Sequence, residues 1–219
     1  MRKTILIALF LGCLTSLASA GMKAGVTVSG YQLDANGKED KSGQSRSEDI
    51  AGVTGSIFAE YSIDALNGVA IGLDVVPYEI DMGAVSNVRV LNSDGNQDNN
   101  VGTNSASVDM QYPITAYFLI PTEQGLYLKA GVSYANLNVK ESLTTNSTYK
   151  DQELFGGHIN VGYEHELGNY EYGSGDAFIR VEAGYSNWAT VKAESSSGRN
   201  TVTADLDGMS ARISIGKAF

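Results

Sequence analysis

The stretch 209–219 reads MSARISIGKAF, and its alternation decides the fold. Counting back from Phe219 in steps of two gives a mostly apolar set, while the other set is small and polar and includes Arg212. In a β-strand these two sets point to opposite faces of the sheet. A soluble barrel would turn the apolar set inward, whereas a membrane barrel turns it toward lipid and fills its interior with the polar set.

The first twenty residues, MRKTILIALFLGCLTSLASA, have the pattern of a secretory signal peptide. A basic start precedes a short apolar core, and Ala18 and Ala20 supply a small-residue cleavage site. We therefore expect a signal peptide over 1–20 and an exported domain over 21–219. A lipid anchor on Cys13 is the alternative, which Phe10 and Leu11 disfavour. Cleavage would remove Cys13, the single cysteine, and with it any disulfide, thiolate ligand or thiol nucleophile.

Eight alternating runs follow, and all but the third are comparable in length to a tilted strand of about 10 residues that crosses a bilayer. A proline within the fourth run, Pro113, removes a ladder donor and predicts a β-bulge there. Aromatic residues of the apolar set near the run ends predict two interfacial girdles. The runs are 22–33, 51–63, 69–75, 107–120, 126–136, 155–164, 178–186 and 209–219.

The gaps between these runs differ in length in a regular way. Long polar gaps follow the odd-numbered runs, at 34–50, 81–106, 138–152 and 190–207, and short gaps occupy 64–68 and 121–125. The gap at 166–176 is intermediate. Long outer loops and short periplasmic turns are typical of outer-membrane barrels, so we expect both barrel termini on the periplasmic side.

The signal peptide, the runs, the loop asymmetry and the terminal Phe219 together resemble the small outer-membrane barrels of Gram-negative bacteria, the group that includes the OmpA transmembrane domain, OmpX, OmpW and Opa types. Ala211, Ile213, Ile215 and Phe219 match their C-terminal assembly signal, and Lys217 departs from it. The resemblance implies an all-β fold, an eight-stranded antiparallel up-and-down transmembrane β-barrel integral to the outer membrane. It implies outer-membrane lipid, lipopolysaccharide and the barrel-assembly machinery as partners, and no cofactor.

The polar set of alternating residues carries charges of both signs into the predicted lumen. Eight strands leave an interior just wide enough for side chains, and an unpaired charge there would be costly, so we expect ion pairs. The pairs would form a structural plug, or else a gate whose partners exchange to pass small ions. The predicted lumen network comprises Lys23, Glu60, Asp74, Asp109, Lys129, His158, Glu164, Arg180, Glu182 and Arg212.

Several functions are disfavoured by the sequence. The formal charge of −10 becomes −12 once the two basic signal-peptide residues are removed, which argues against a nucleic-acid partner. Asp94, Asn96 and Asp98 have the spacing of a calcium loop, but Asn99 and Ser105 occupy the positions where such a loop needs Gly and Glu. We therefore expect no metal site.

The leading functional interpretation is a non-enzymatic protein with a structural or surface-interaction role through its outer loops, whose extracellular ligand the sequence does not identify. The main alternative is a narrow channel for ions or small solutes, through the lumen or a lateral opening. A lipid-modifying barrel enzyme is less favoured, because no serine, histidine and carboxylate set lies at a lipid-facing strand end. A secreted lipocalin-like carrier is the remaining alternative.

Overall fold

A computed structural model describes residues 21–40, 43, 45–91, 100–142, 148–169, 176–196 and 201–219. Over this part of the chain two short 3-10 turns accompany nine strands, and no helix is long and apolar enough to cross a bilayer. The turns, Asp64–Leu66 and Glu123–Gly125, lie at one end of the sheet, here called the short-turn end; the other end is the loop end. The strands are β1 (Met22–Glu39), β2 (Ser45–Ile63), β3 (Val69–Val75), β4 (Glu79–Leu91), β5 (Asn100–Pro121), β6 (Leu126–Ser142), β7 (Gln152–Asn169), β8 (Asp176–Glu194) and β9 (Thr201–Ala218).

The strands close into a barrel because β1 pairs with both β2 and β9. All pairings are antiparallel. In the short-turn half, β3 pairs with β2 and with β5, which gives a ring of eight strands. In the loop half β4 takes over the position of β3 and pairs with β5. The predicted eight-stranded up-and-down barrel is confirmed, with its third strand divided in two between Val75 and Glu79.

The short-turn half is apolar outside and polar inside. Val26 and Ile213 are 51% and 59% exposed, whereas Thr27 and Ser214, on the opposite faces of the same strands, are buried and hydrogen-bonded to each other at 2.8 Å. This polarity is the reverse of a soluble core and matches a wall that faces lipid. Large aromatic side chains are also exposed on this outer face: Tyr61, Phe118, Phe155, Tyr163, Tyr185 and Phe219.

The loop half has the opposite polarity. On β1 the outward residues change from Val28 to Gln32 and Asp34, while Leu33 points inward and is buried. Most strands span 17–22 residues, about twice what a bilayer requires, so the barrel extends roughly 20 Å beyond the lipid belt. The lumen of this extension holds an apolar cluster formed by Leu33, Met82, Met110, Ala135, Leu154 and Leu206.

The long polar gaps are therefore strands over much of their length. The predicted loop 81–106 contains most of β4 and the start of β5. The wall continues above the lipid because a barrel that is polar outside and apolar inside is stable in water. Asp94, Asn96 and Asp98 lie outside the described residues.

A β-bulge at Pro113 is present, and it reverses the side-chain alternation of β5. Gln111 pairs with Asn136 and Ile114 with Tyr134, so β5 carries one extra residue, and Tyr112 adopts a φ of 46°. A one-residue insertion exchanges the two faces of a strand. Met110, predicted to face outward, consequently lies in the apolar cluster of the lumen.

The same reversal corrects the prediction for Asp109, which is not part of the lumen network. Asp109 lies on the outer wall and forms an ion pair with the exposed Lys140. The hydrogen bond and charge of Asp109 raise the pKa of Lys140 above its ordinary value. The sequence parity places Asp109 inside only if the strand is regular.

The backbone hydrogen-bond ladder of the barrel wall is interrupted in the loop half, and this interruption is called the wall opening. Among the described residues, β2 pairs with β3 only from Ile57 to Ile63, and no ladder joins the rest of β2 to β4. Tyr78 bridges the base of this wall opening: its hydroxyl accepts a hydrogen bond from the Gly55 backbone N–H and shares one with Thr54 Oγ1 at 3.0 Å.

Candidate functional site: the charged lumen

Eight charged side chains fill the lipid-level lumen as two chains of alternating sign. In the first ion-pair chain, Lys23 Nζ lies 2.5 Å from Glu164 Oε1, and Glu164 Oε2 lies 2.6 Å from Arg180 Nε. Arg180 then donates two parallel hydrogen bonds to Glu60, at 2.6 and 2.7 Å. The four members come from β1, β7, β8 and β2, so this chain crosses the lumen between distant strands.

The second ion-pair chain has the same alternation of charge. Lys129 pairs with Glu182, Glu182 Oε2 lies 3.2 Å from Arg212 Nε, and Arg212 pairs with Asp74. Two cations and two anions make each chain formally neutral. Because the side chains of Lys129 and Glu182 are only 4% and 1% exposed, the pairing replaces hydration that burial removes.

Two tyrosines connect the chains in a reciprocal way. Tyr117 donates a hydrogen bond to Glu60 of the first chain at 2.7 Å, and its ring lies under Lys129 of the second chain at 4.9 Å. Tyr127 donates to Glu182 of the second chain at 2.8 Å, and its ring lies 5.4 Å from Arg180 of the first. Each tyrosine therefore hydrogen-bonds a carboxylate of one chain and offers its π-face to a cation of the other.

Glycines make room for these tyrosine rings. A Cβ on Gly72 would collide with the ring of Tyr117, and a Cβ on Gly162 would collide with the ring of Tyr127. Both rings thus lie flat against the backbone of a neighbouring strand. The lack of a side chain at these two positions allows the tyrosines to reach the carboxylates across the lumen.

His158 lies in the lumen, as the alternation along its strand predicts, but it belongs to neither ion-pair chain. Its Nδ1 is 3.5 Å from Ser133 Oγ, and its buried Nε2 has no hydrogen-bond partner in the described part of the chain. The other eight residues of the predicted lumen network all lie in the two ion-pair chains: Lys23, Glu60, Asp74, Lys129, Glu164, Arg180, Glu182 and Arg212.

The residues matched to an assembly signal lie on the outer face of β9. Ile213, Ile215 and Phe219 are 59%, 54% and 40% exposed, and Ala211 shares their face. Lys217 lies on the same face with its ammonium 5.4 Å from the Phe219 ring centroid. This cation–π contact accommodates the charge at the strand end.

Above the second ion-pair chain lies a cavity of about 150 Å³ that sequence reasoning missed. Its floor includes Asp74 and Arg212, and its roof includes Leu33, Met82 and Met110 of the apolar cluster. The proline in the fourth run was the available signal, because the parity change it causes is what brings Met110 inward. In the described ranges, no group of three or more His, Cys, Asp or Glu side chains is arranged to hold a metal ion.

No protein-family model matches the sequence, and no curated protein does. Solved structures with a similar arrangement include Ail of Yersinia pestis, with 11% identity, a TM-score of 0.43, and coverage of 89% of this chain and 99% of that one. The outer-membrane protein OprG of Pseudomonas aeruginosa has 13% identity, a TM-score of 0.49, and coverage of 91% and 96%. The outer-membrane protease OmpT of Escherichia coli has 9% identity, a TM-score of 0.39, and coverage of 90% and 96%.

The class of the protein follows from the geometry described above. A closed antiparallel ring, an apolar outer belt and an interior whose eight described charges form ion pairs are the properties of an integral outer-membrane β-barrel. A water-soluble barrel would expose the belt and bury eight charges for no gain.

Proposed function

We propose that the protein is a non-conducting, non-enzymatic outer-membrane barrel that acts through its loop end, as a structural or surface-interaction protein. The observation that carries this proposal is the pair of tyrosine-linked ion-pair chains. Moving an ion through the lipid-level lumen would require breaking buried ion pairs, and each broken pair would leave an uncompensated charge in a low-dielectric interior.

We also propose a topology and a processing step for the chain. Residues 1–20 are a signal peptide that is cleaved on export, and residues 21–219 form the barrel domain with both termini in the periplasm. The short turns then face the periplasm, and the extension beyond the lipid belt projects outward, where its polar outer wall meets lipopolysaccharide. The exposed apolar face of β9, with Phe219, is presented to the barrel-assembly machinery.

Conductance across planar lipid bilayers tests the closed lumen. We expect purified protein to insert without producing discrete conductance steps in 1 M KCl. Reproducible steps from the unmodified protein would contradict the proposal. The double variant Arg180→Ala/Arg212→Ala is a useful positive comparison if it inserts, because it removes one cation from each ion-pair chain.

The loop-end role needs a separate experiment. Replacing the β1–β2 hairpin above Asp34 and Asp49 with a two-residue Asn-Gly turn shortens the projection and retains the lipid-level wall. Cells that display this variant should lose adhesion to abiotic and host-cell surfaces relative to cells that display the full barrel. Equal adhesion at equal surface levels would argue against an outer-surface role for this hairpin.

A second candidate function is passage of small solutes through the wall opening between β2 and β4. The specific observation in its favour is that the opening lies beside the cavity: Thr54 and Ser56 of β2 and Ile80 and Met82 of β4 line the cavity. Uptake of a small labelled solute into vesicles, without ionic conductance, would favour this function over a purely structural one.

A further inference from the structure

We infer that a groove on the lipid-facing wall of the barrel holds the acyl chains of one phospholipid from the periplasmic leaflet. The groove crosses β2, β3, β5 and β6 and has a volume of about 740 Å³. The inference concerns the outer surface and goes beyond the proposed function. Only the choice of leaflet rests on the topology proposed above.

The wall is recessed here because small and large residues alternate around it. In the cross-strand rows of the outer face, Ala116 pairs with Leu73 and Val132, and Ala130 pairs with Phe118. Each alanine therefore lies lower than the exposed apolar side chains beside it. The larger residues form the rim of the groove: Tyr61, Ile71, Leu73, Phe118 and Val132.

The chemistry of the lining selects a hydrocarbon. Glu60 and Tyr117 border the groove, but their carboxylate and hydroxyl groups hydrogen-bond to each other inside the lumen. Among the lining residues, the hydroxyl of Tyr61, at the short-turn end, is the polar side-chain group left on the outer face. An occupant consequently gains apolar contact along the groove and finds no charge to pair with.

The surroundings of the groove favour lipid over a second copy of this chain. The groove is continuous with the apolar belt, which already faces hydrocarbon. Apolar contact alone does not drive two proteins together in a bilayer, because lipid tails are as apolar as the side chains they would be exchanged for. A flexible acyl chain can follow the recess and restore the dispersion contacts that a gap would forfeit.

The size of the groove sets the size of the ligand. The six carbons of benzene occupy a cavity of about 150 Å³, so a groove of this volume takes up roughly 30 carbon atoms. That is the size of the two acyl chains of one phospholipid.

The position of the groove selects the leaflet. Met22 begins β1, and Tyr61 and Ile71 lie close to the turn Asp64–Leu66, so the groove starts at the short-turn end. With the short turns in the periplasm, the chains at this depth belong to the periplasmic leaflet. Phospholipid is therefore the ligand, and the acyl chains of lipopolysaccharide lie in the opposite leaflet.

Native mass spectrometry tests the inference because the mass of a bound lipid identifies it. Barrels are extracted from the outer membrane in a mild detergent. A second sample is stripped of lipid and titrated with palmitoyl-oleoyl phosphatidylethanolamine. We expect one phospholipid on the extracted barrel, and saturable binding of one phospholipid in the titration.

Variants separate the groove from the rest of the belt. Ala116→Leu and Ala130→Leu, singly and together, place larger apolar side chains in the recess, and the double variant should lower the bound fraction at least fivefold. Ala183→Leu is the matched control, since Ala183 is an exposed alanine of β8 outside the groove, and it should bind as the wild type does. Heat-modifiable migration on a gel shows which variants fold, and the single variants decide the test if the double variant does not fold.

Four results would overturn the inference. The wild-type barrel could bind no phospholipid in either sample. Folded groove variants could bind as much as Ala183→Leu, which would place the lipid elsewhere. A dimer that the groove variants dissociate would show that a second copy fills the groove. Bound lipopolysaccharide in place of phospholipid would contradict the leaflet and the proposed topology, whereas the closed lumen is tested separately by conductance.

Discussion

Arg180 and Glu60 face each other across the lumen with two parallel hydrogen bonds of 2.6 and 2.7 Å, between side chains that are 3% and 1% exposed. The guanidinium also lies 4.7 Å from the Phe178 ring centroid and donates through Nε to Glu164. Arginine suits this position because its planar fork binds two carboxylates at once and stacks on a ring. The pair is therefore the centre of the first ion-pair chain.

Arg180→Ala should destabilise the barrel by about 3–5 kcal/mol, because the buried carboxylate of Glu60 loses its ion-pair partner and the partly buried Glu164 loses one of its two. Urea unfolding in lipid vesicles measures this free energy. Arg46→Ala is the matched control: its pair with Glu48 is 56% and 46% exposed, and its loss should cost less than about 1 kcal/mol. Equal effects of the two substitutions would show that burial does not give the lumen pair its importance.

Tyr127→Phe should cost about 1.5–3 kcal/mol, because the phenol donates to the buried, charged Glu182 and the ring itself is retained. Tyr117→Phe should act similarly through Glu60. The same unfolding measurement applies, with Tyr163→Phe as the control on the exposed outer face. If both lumen variants unfold like the control, the tyrosines do not link the ion-pair chains energetically.

Gly162→Ala should be destabilising by about 1–3 kcal/mol, because the added methyl group meets the Tyr127 ring where no space exists. Gly30→Ala is a control of the same chemistry, since a Cβ at Gly30 has no atom within 4 Å. Its effect should stay within about 0.5 kcal/mol. Comparable losses at the two glycines would indicate a backbone effect and would argue against the close approach of the tyrosine.

The outer wall above the lipid belt carries three carboxylates in one cross-strand row, because Asp34 pairs in register with both Asp49 and Asp207. Desolvation, and then the hydrogen bond and charge of Asp49 and the charge of Asp207, raise the pKa of Asp34 above its ordinary value. A carboxyl whose folded-state pKa is raised costs stability when it is ionised. This cost disappears as the pH falls through the raised pKa.

Asp34→Asn should therefore increase stability at pH 7 relative to the wild type, and the difference should shrink as the pH falls to the ordinary aspartate range. Paired unfolding curves at several pH values measure the difference. Asp40→Asn, at the end of the β1 hairpin, controls for the loss of one negative charge. A constant difference across the pH range would mean that the row does not affect the titration of Asp34.

The lipid-level half of the barrel could be predicted because a single physical rule governs it. Alternation with period two assigns one face to lipid and one to the lumen, and unpaired charges are too costly for the lumen. The same rule located Glu60, Arg180 and their partners without any knowledge of which strands are neighbours. Glu164–Arg180 and Glu182–Arg212 are opposed on consecutive strands. The pairs that cross the lumen, Arg180–Glu60 and Arg212–Asp74, could not be predicted, because they join strands that are distant in sequence.

The loop half was predicted less well, for two physical reasons. Pro113 predicts the bulge, but simple alternation along β5 ignores the extra residue, so it assigns Met110 and Asp109 to the wrong faces. Above the lipid belt, water replaces hydrocarbon outside the wall, so the polar residues of each strand face outward and the apolar residues face the lumen. Polar segments that resemble loops in the sequence therefore continue as strands. The division between β3 and β4, and the wall opening beside it, depend on register, which alternation does not specify.

This barrel is apolar outside and charged inside, and heat modifiability tests that arrangement most directly. The chain 21–219 is refolded with and without detergent, and boiled and unboiled samples are compared on a gel. We expect a compact, faster-migrating unboiled band only when detergent or lipid is present, and a single slower band after boiling. A stable folded species in plain buffer, without detergent, would contradict the account, because a barrel with this exposed apolar belt cannot remain dispersed in water.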